Sequence, residues 1–197
     1  MNNYLKNRYA KYIITLEDDF SYYSSTMIDF IDEIIDEFEL KIETVSSKIP
    51  MNAEKKVKAD AVKKDLSAII KELKKIIKSE QNTNCDLKKK IQYISQVYAL
   101  TKKESTLIET LILKEINQQI KRVFNESSNY ICDDCTKIIN VERWQFNEIS
   151  VNLQKKGLIA HDDIDEINFN IIKICQFKIC YFFSIFNSNH SSRIIIK

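Results

Sequence analysis

One glycine and one proline in 197 residues leave this chain few ways to turn sharply. Phosphate loops, dinucleotide fingerprints and nucleophile elbows each need two or more glycines at set spacing, so none is present. Greek-key and barrel architectures rely on tight turns with positive φ and are disfavoured for the same reason. Arginine is scarce as well: Arg8, Arg122, Arg143 and Arg193 stand among 30 basic residues, against 28 acidic ones. Arg is the usual side chain for bidentate reading of phosphate or guanine. A lysine-rich chain with a net charge of +2 therefore carries little of a nucleic-acid signature. Histidine occurs only at His161 and His190, and neighbouring motifs offer no nucleophile, base and orienting group together. A non-enzymatic protein is expected, with no cofactor and no evident small-molecule ligand. No apolar run is long enough to cross a bilayer, so no membrane contact is expected. Residues 1–13 lack the apolar core of a secretory leader. The five cysteines (Cys85, Cys132, Cys135, Cys175 and Cys180) are accordingly expected to stay reduced in a cytoplasm.

What is present is helical periodicity and a hydrophobic content of 44%, enough to build a core. A first amphipathic helix is predicted over residues 4–17, with Tyr4, Leu5, Tyr9, Tyr12, Ile13 and Leu16 on one face. Ser25 or Thr26 can cap a second helix over 27–47, whose apolar stripe is Met27, Ile31, Ile34, Phe38, Ile42 and Val45. Its other face is acidic, from Asp29 to Glu43, and Ile49-Pro50 stops it. A third helix over 53–79 has a seam of Val62, Leu66, Ile69, Leu73 and Ile76 and a polar face rich in lysine. Opposite charge, similar length and the short joint between them predict an antiparallel helical hairpin whose charged flanks meet. The alternative for those lysines is phosphate binding. A short helix over 85–100 follows. Thr101-x-x-Glu104 has the spacing of a capping box and should open a helix over 102–124, with Leu107, Leu111, Ile112, Ile116, Ile120, Val123 and Phe124 buried.

Residues 105–160 read as a long helix, a short helix over 130–139, a turn at Asn140-Val141 and a helix over 142–156. They end in Leu153-Gln-Lys-Lys-Gly-Leu-Ile159. Gly157 can take the left-handed conformation that ends a helix, after which Leu158 and Ile159 return to the core. This stretch resembles a winged helix-turn-helix domain. The resemblance implies a recognition helix whose outer face carries Glu142, Arg143, Gln145, Asn147 and Asn152, with Lys155 and Lys156 beside it. Arg143, Gln145, Asn147, Asn152, Lys155 and Lys156 are thus the candidate nucleic-acid contacts. Charge argues the other way. The helix begins at Glu142, Asp133 and Asp134 precede it, and the would-be wing at 161–166 carries four carboxylates. A protein partner is expected in preference to DNA.

Cys132-x-x-Cys135 has the spacing of half a zinc site, and Cys175 with Cys180 could supply the other half, but neither pair has the tight turn of a zinc knuckle. On a helix, i and i+3 share a face, so Cys132 and Cys135 are read as small core residues and no metal is expected. The acidic clusters at 17–19 and 162–166 are read as solvated charge. Past residue 166 every carboxylate disappears and phenylalanine clusters. Three readings fit that tail: a strand packed on the wing, an aberrant terminus, or a membrane-contacting segment. The expected organisation is a helical region at 1–100 holding the hairpin, a winged-helix-like module at 101–166 and an aromatic tail at 167–197. The fold expected is mostly α. The function expected is a cytoplasmic interaction protein, an accessory subunit of a larger assembly or mobile-element system. A DNA-binding regulator is the alternative.

Overall fold

Eight α-helices and two 3-10 turns build the described part of the chain, with no strand among the described residues. An isolated antiparallel bridge joins Phe20 to Ser127. The computed structural model describes residues 1–20, 26–50, 52–79, 85–127 and 131–159. The wing at 161–166, both histidines, Cys175, Cys180 and the tail lie outside the described residues. The helices are α1 (Asn3–Thr15), α2 (Thr26–Phe38), α3 (Lys55–Ser79), α4 (Asp86–Val97), α5 (Lys102–Ile116), α6 (Gln118–Glu126), α7 (Ile131–Ile139) and α8 (Arg143–Lys155). The chain divides into two units, one ending at Arg143 and one starting at Trp144. No helix among the described residues is long and apolar enough to cross a membrane.

In the first unit α1 packs against α3, α6 and α7, and α2 against α3 and α6. The apolar spacing explains why. Met27, Phe30, Ile31, Ile34 and Phe38 recur at helical period and are buried along α2. Val62, Leu66, Ile69 and Leu73 form the buried seam of α3. Aromatic rings lock these layers together: Tyr9 stacks on Phe38 at 5.5 Å, and Phe20 meets Phe30 edge-on at 5.5 Å. The central helix is α5, where every residue from Leu107 to Lys114 is buried, Glu109, Thr110 and Lys114 included. Its start is the capping box read from the sequence. The Thr101 hydroxyl accepts from the Glu104 N–H at 3.2 Å, and the Glu104 carboxylate accepts from the Thr101 N–H at 2.7 Å.

Helix ends show how a chain with one glycine stops its helices. Glu39, Ala99, Asn140 and Gly157 all have positive φ, at 53°, 46°, 53° and 67°. At each the following N–H reaches back five residues: Leu40 to Ile35 O, Leu100 to Ser95 O, Val141 to Thr136 O and Leu158 to Leu153 O. These are Schellman ends, which satisfy carbonyls left open by the last turn. A non-glycine residue in the left-handed region costs roughly 1–2 kcal/mol, so three of these four ends are held against a local strain.

Two predicted helices are shorter than their patterns suggested. The helix expected over 27–47 stops at Phe38, because Glu39 turns left-handed and the chain leaves the helix. The next segment is tied down by Asp65 of α3, a carboxylate only 2% exposed. It accepts from the Val45 N–H at 2.9 and 3.0 Å and from the Ser46 N–H at 2.8 Å. No ion pair between the charged flanks of α2 and α3 stands out among the described residues, although Lys58 and Lys63 of α3 do have polar or electrostatic partners. Two α2 carboxylates pair with other elements: Glu37 with the Met1 amine and Lys6, and Glu33 with Arg122 of α6. The helix expected over 102–124 breaks at Asn117, whose side chain caps α6 by accepting from the Ile120 N–H at 2.8 Å. That break rotates the phase of the stripe, leaving Ile116 half exposed while Ile120 and Val123 are fully buried.

Candidate functional site

Helix α8 ends where the sequence said it would. The Gly157 N–H bonds to Gln154 O at 2.8 Å, and a Cβ added at Gly157 would meet nothing within 4 Å. Its left-handed φ, not crowding, therefore favours glycine. Phe146, Ile149, Ser150 and Leu153 are buried on one side of the helix, followed by Leu158 and Ile159. At about 100° per residue, the direction opposite that stripe is occupied by Trp144, Glu148, Val151 and Lys155. Trp144 is 66% exposed and Val151 44% exposed. They stand seven residues apart, so they lie one above the other on the outward face. The only tryptophan of the chain thus sits in the middle of a helix face that patterning reserves for polar residues.

The sequence-predicted contacts fall around this pair instead of forming one surface. Arg143, Asn147, Asn152 and Lys155 are exposed, while Gln145 and Lys156 are half-buried. Arg143 and Asn147 lie on one flank of the Trp144–Val151 line, and Gln145, Asn152 and Lys156 on the other. Arg143 faces an acid: its guanidinium is 3.4 Å from Asp133 and 3.9 Å from the Cys132 sulfur. Glu148 stands between Trp144 and Val151, one turn from each, so the outward face of α8 carries two apolar side chains among charges of both signs. Trp144 and Val151 were not singled out by sequence reasoning. The signal was available, since both sit opposite the apolar stripe of the same helix.

The cysteine pair behaves as core. Cys132 is 3% and Cys135 1% exposed. Burial pushes both thiols up, reinforced at Cys132 by Asp133 and at Cys135 by Asp134. Such thiols are poor nucleophiles. Among the described residues no group of three or more His, Cys, Asp or Glu is arranged to hold a metal ion.

Buried polar groups of the first unit are held in two networks. In one, the Tyr4 hydroxyl donates to Glu109, and Arg8 lies 2.7 Å from the same carboxylate oxygen. Burial is the largest single influence and works against the Arg8 charge, but Glu109, Tyr12 and Tyr4 together outweigh it and hold the guanidinium above its ordinary value. Beside it the Tyr12 hydroxyl donates to Thr110 at 3.2 Å, and Thr110 donates to Thr106 O at 2.9 Å. In the other, Asp134 is fully buried. One oxygen accepts from the Ser127 hydroxyl at 2.6 Å, and the other has no hydrogen-bond partner among the described residues. Burial, opposed by Ser127 and helped by nearby Asp19, pushes the Asp134 carboxyl up to about 7. The 3-10 turn Glu17–Asp19 is part of this neighbourhood, because Lys137 pairs with Asp19. Neither network sets a nucleophile beside a base, so their chemistry is cohesive. No protein-family model matches the chain, and no curated protein or solved structure matches it.

Proposed function

We propose that the protein is a helical interaction module that docks a protein partner through the outward face of α8. The observation that carries this reading is Trp144, two-thirds exposed, with Val151 one heptad on, Glu148 between them and Lys155 beyond. Tryptophan is the residue most often found at the energetic centre of protein interfaces, and an apolar centre with a charged rim is their usual anatomy. A DNA reader would present a continuous basic face instead, whereas Arg143 is spoken for by Asp133. An accessory, non-enzymatic role in a larger assembly follows from the same reading.

Two structural readings belong to this proposal. The winged-helix-like reading of the helices from α5 onward is supported by the left-handed turn at Asn140 and the Gly157 end with Leu158 and Ile159 buried after it. The hairpin reading of α2 and α3 is supported by the packing of these two helices on each other. The test is affinity purification of the full chain from its native host, comparing wild type with Trp144→Ala and Arg143→Ala. A hot-spot tryptophan contributes about 2–4 kcal/mol, so Trp144→Ala should cut recovery of one defined co-eluting protein more than tenfold. Arg143→Ala should leave it within a few-fold. Recovery that survives Trp144→Ala would rule out this face of α8, and a nucleic acid lost with Arg143→Ala would favour the DNA-binding alternative.

A further inference from the structure

A groove in the first unit, distant in kind from the α8 face, gathers positive charge over an apolar floor. Arg8 and Lys11 line it from α1, and Lys74 and Lys78 from α3. Each pair is spaced by three or four residues, so each lies on one face of its helix. Ile14, Ile77 and Ile138 supply the floor, and the cavity has a volume of about 400 Å³. Of the four cations only Arg8 makes an ion pair, with Glu109. Lys11, Lys74 and Lys78 have none among the described residues. At Lys11 burial and then the Arg8 charge lower the affinity for the proton, partly offset by the Glu109 carboxylate.

We propose that this groove binds a nucleotide, its phosphates among Lys11, Lys74, Lys78 and the edge of Arg8, and its base on the isoleucine floor. Like charges held together around one concavity repel, and a multiply charged anion relieves that repulsion where a single carboxylate would leave most of it. Lysine binds phosphate as a mobile point charge and needs no fixed fork geometry. The apolar floor gives no partner to a bare phosphate but suits the face of a base. Thr15, exposed at the groove edge, adds a hydroxyl that can donate to a phosphate oxygen or meet the polar edge of a base. The cavity falls in the size range of small-ligand sites. The same chemistry can come from a free nucleotide or from a nucleotide within a single strand.

The experiment is isothermal titration calorimetry of the full chain at low salt with ADP, with inorganic pyrophosphate and with a twelve-residue oligothymidylate. Two double variants of equal charge change accompany the wild type: Lys74→Glu with Lys78→Glu in the groove, and Lys55→Glu with Lys56→Glu at the other end of the same helix. Circular dichroism confirms that both remain folded. Saturable binding of ADP, weakened at least about tenfold by the groove variant and within twofold by the distal one, supports the proposal with a free nucleotide as source. The same pattern with the oligonucleotide alone supports it with a strand as source. Pyrophosphate binding as tightly as ADP overturns the assignment of the isoleucine floor to a base. The proposal as a whole falls if neither ADP nor the oligonucleotide saturates, or if both double variants weaken binding equally.

Discussion

Replacing Glu109 by Ala should lower the unfolding free energy by about 3 kcal/mol, among the largest effects of any single substitution in this chain. The carboxylate is 6% exposed and serves two partners at once, the Tyr4 hydroxyl and the Arg8 guanidinium. Removing it leaves a part-buried cation and a buried hydroxyl without their acceptor. Losing a buried acceptor costs more than the bond itself was worth, because the stranded donors keep their desolvation penalty. Glu109→Gln should recover much of the loss, since its amide oxygen still accepts from Tyr4. Urea unfolding followed by circular dichroism measures this, and the slope with denaturant should stay constant while the midpoint falls. A midpoint for Glu109→Ala within error of wild type would show that the network adds nothing to stability.

The second large effect is on pH dependence. The Asp134 carboxyl is held at about 7 in the folded chain, against an ordinary value of 3.8. The folded state therefore binds this proton more tightly than the unfolded state does. Its stabilising contribution is complete below the unfolded value and is lost as pH rises through about 7. Wild type should lose roughly 2–3 kcal/mol between pH 5 and pH 8 relative to Asp134→Asn. The variant keeps an oxygen for the Ser127 hydroxyl and has no charge to bury. Comparing the two chains at each pH cancels the contribution of groups elsewhere, the histidines included. Parallel stability curves for the two proteins would mean that Asp134 ionises normally.

How far the sequence revealed these features depends on whether the controlling residue acts locally. Thr101-x-x-Glu104 and Gly157 are local devices, and both sit as the letters imply. The seam of α3 is a periodic pattern, and Val62, Leu66, Ile69 and Leu73 are buried as a period of three and four requires. The end of α2 was hidden because nothing marks Glu39 as a residue able to turn left-handed; it does so in a context where Asp65, 26 positions later in the chain, captures the following backbone. Asn117 did carry a signal, since Asn is a preferred N-cap, but the apolar stripe running through it masked the break. Glu109 and Lys114 look like solvated positions of an amphipathic helix. Only their tertiary partners on α1 and the ring of Phe124, 5.8 Å from the Lys114 ammonium, account for their burial. The basic groove joins α1 to α3 across some 60 residues, a juxtaposition that no local pattern announces.

The role assigned to α8 is tested most directly by photocrosslinking from its outward face in the native host. A benzophenone amino acid at Val151, with Trp144 intact, places the reactive group two turns from the indole on the same face. One adduct with a defined protein is expected, resistant to nuclease and lost when Trp144→Ala is added. Adducts with nucleic acid alone, or a protein yield no higher than from the same probe at exposed Lys55, would contradict it.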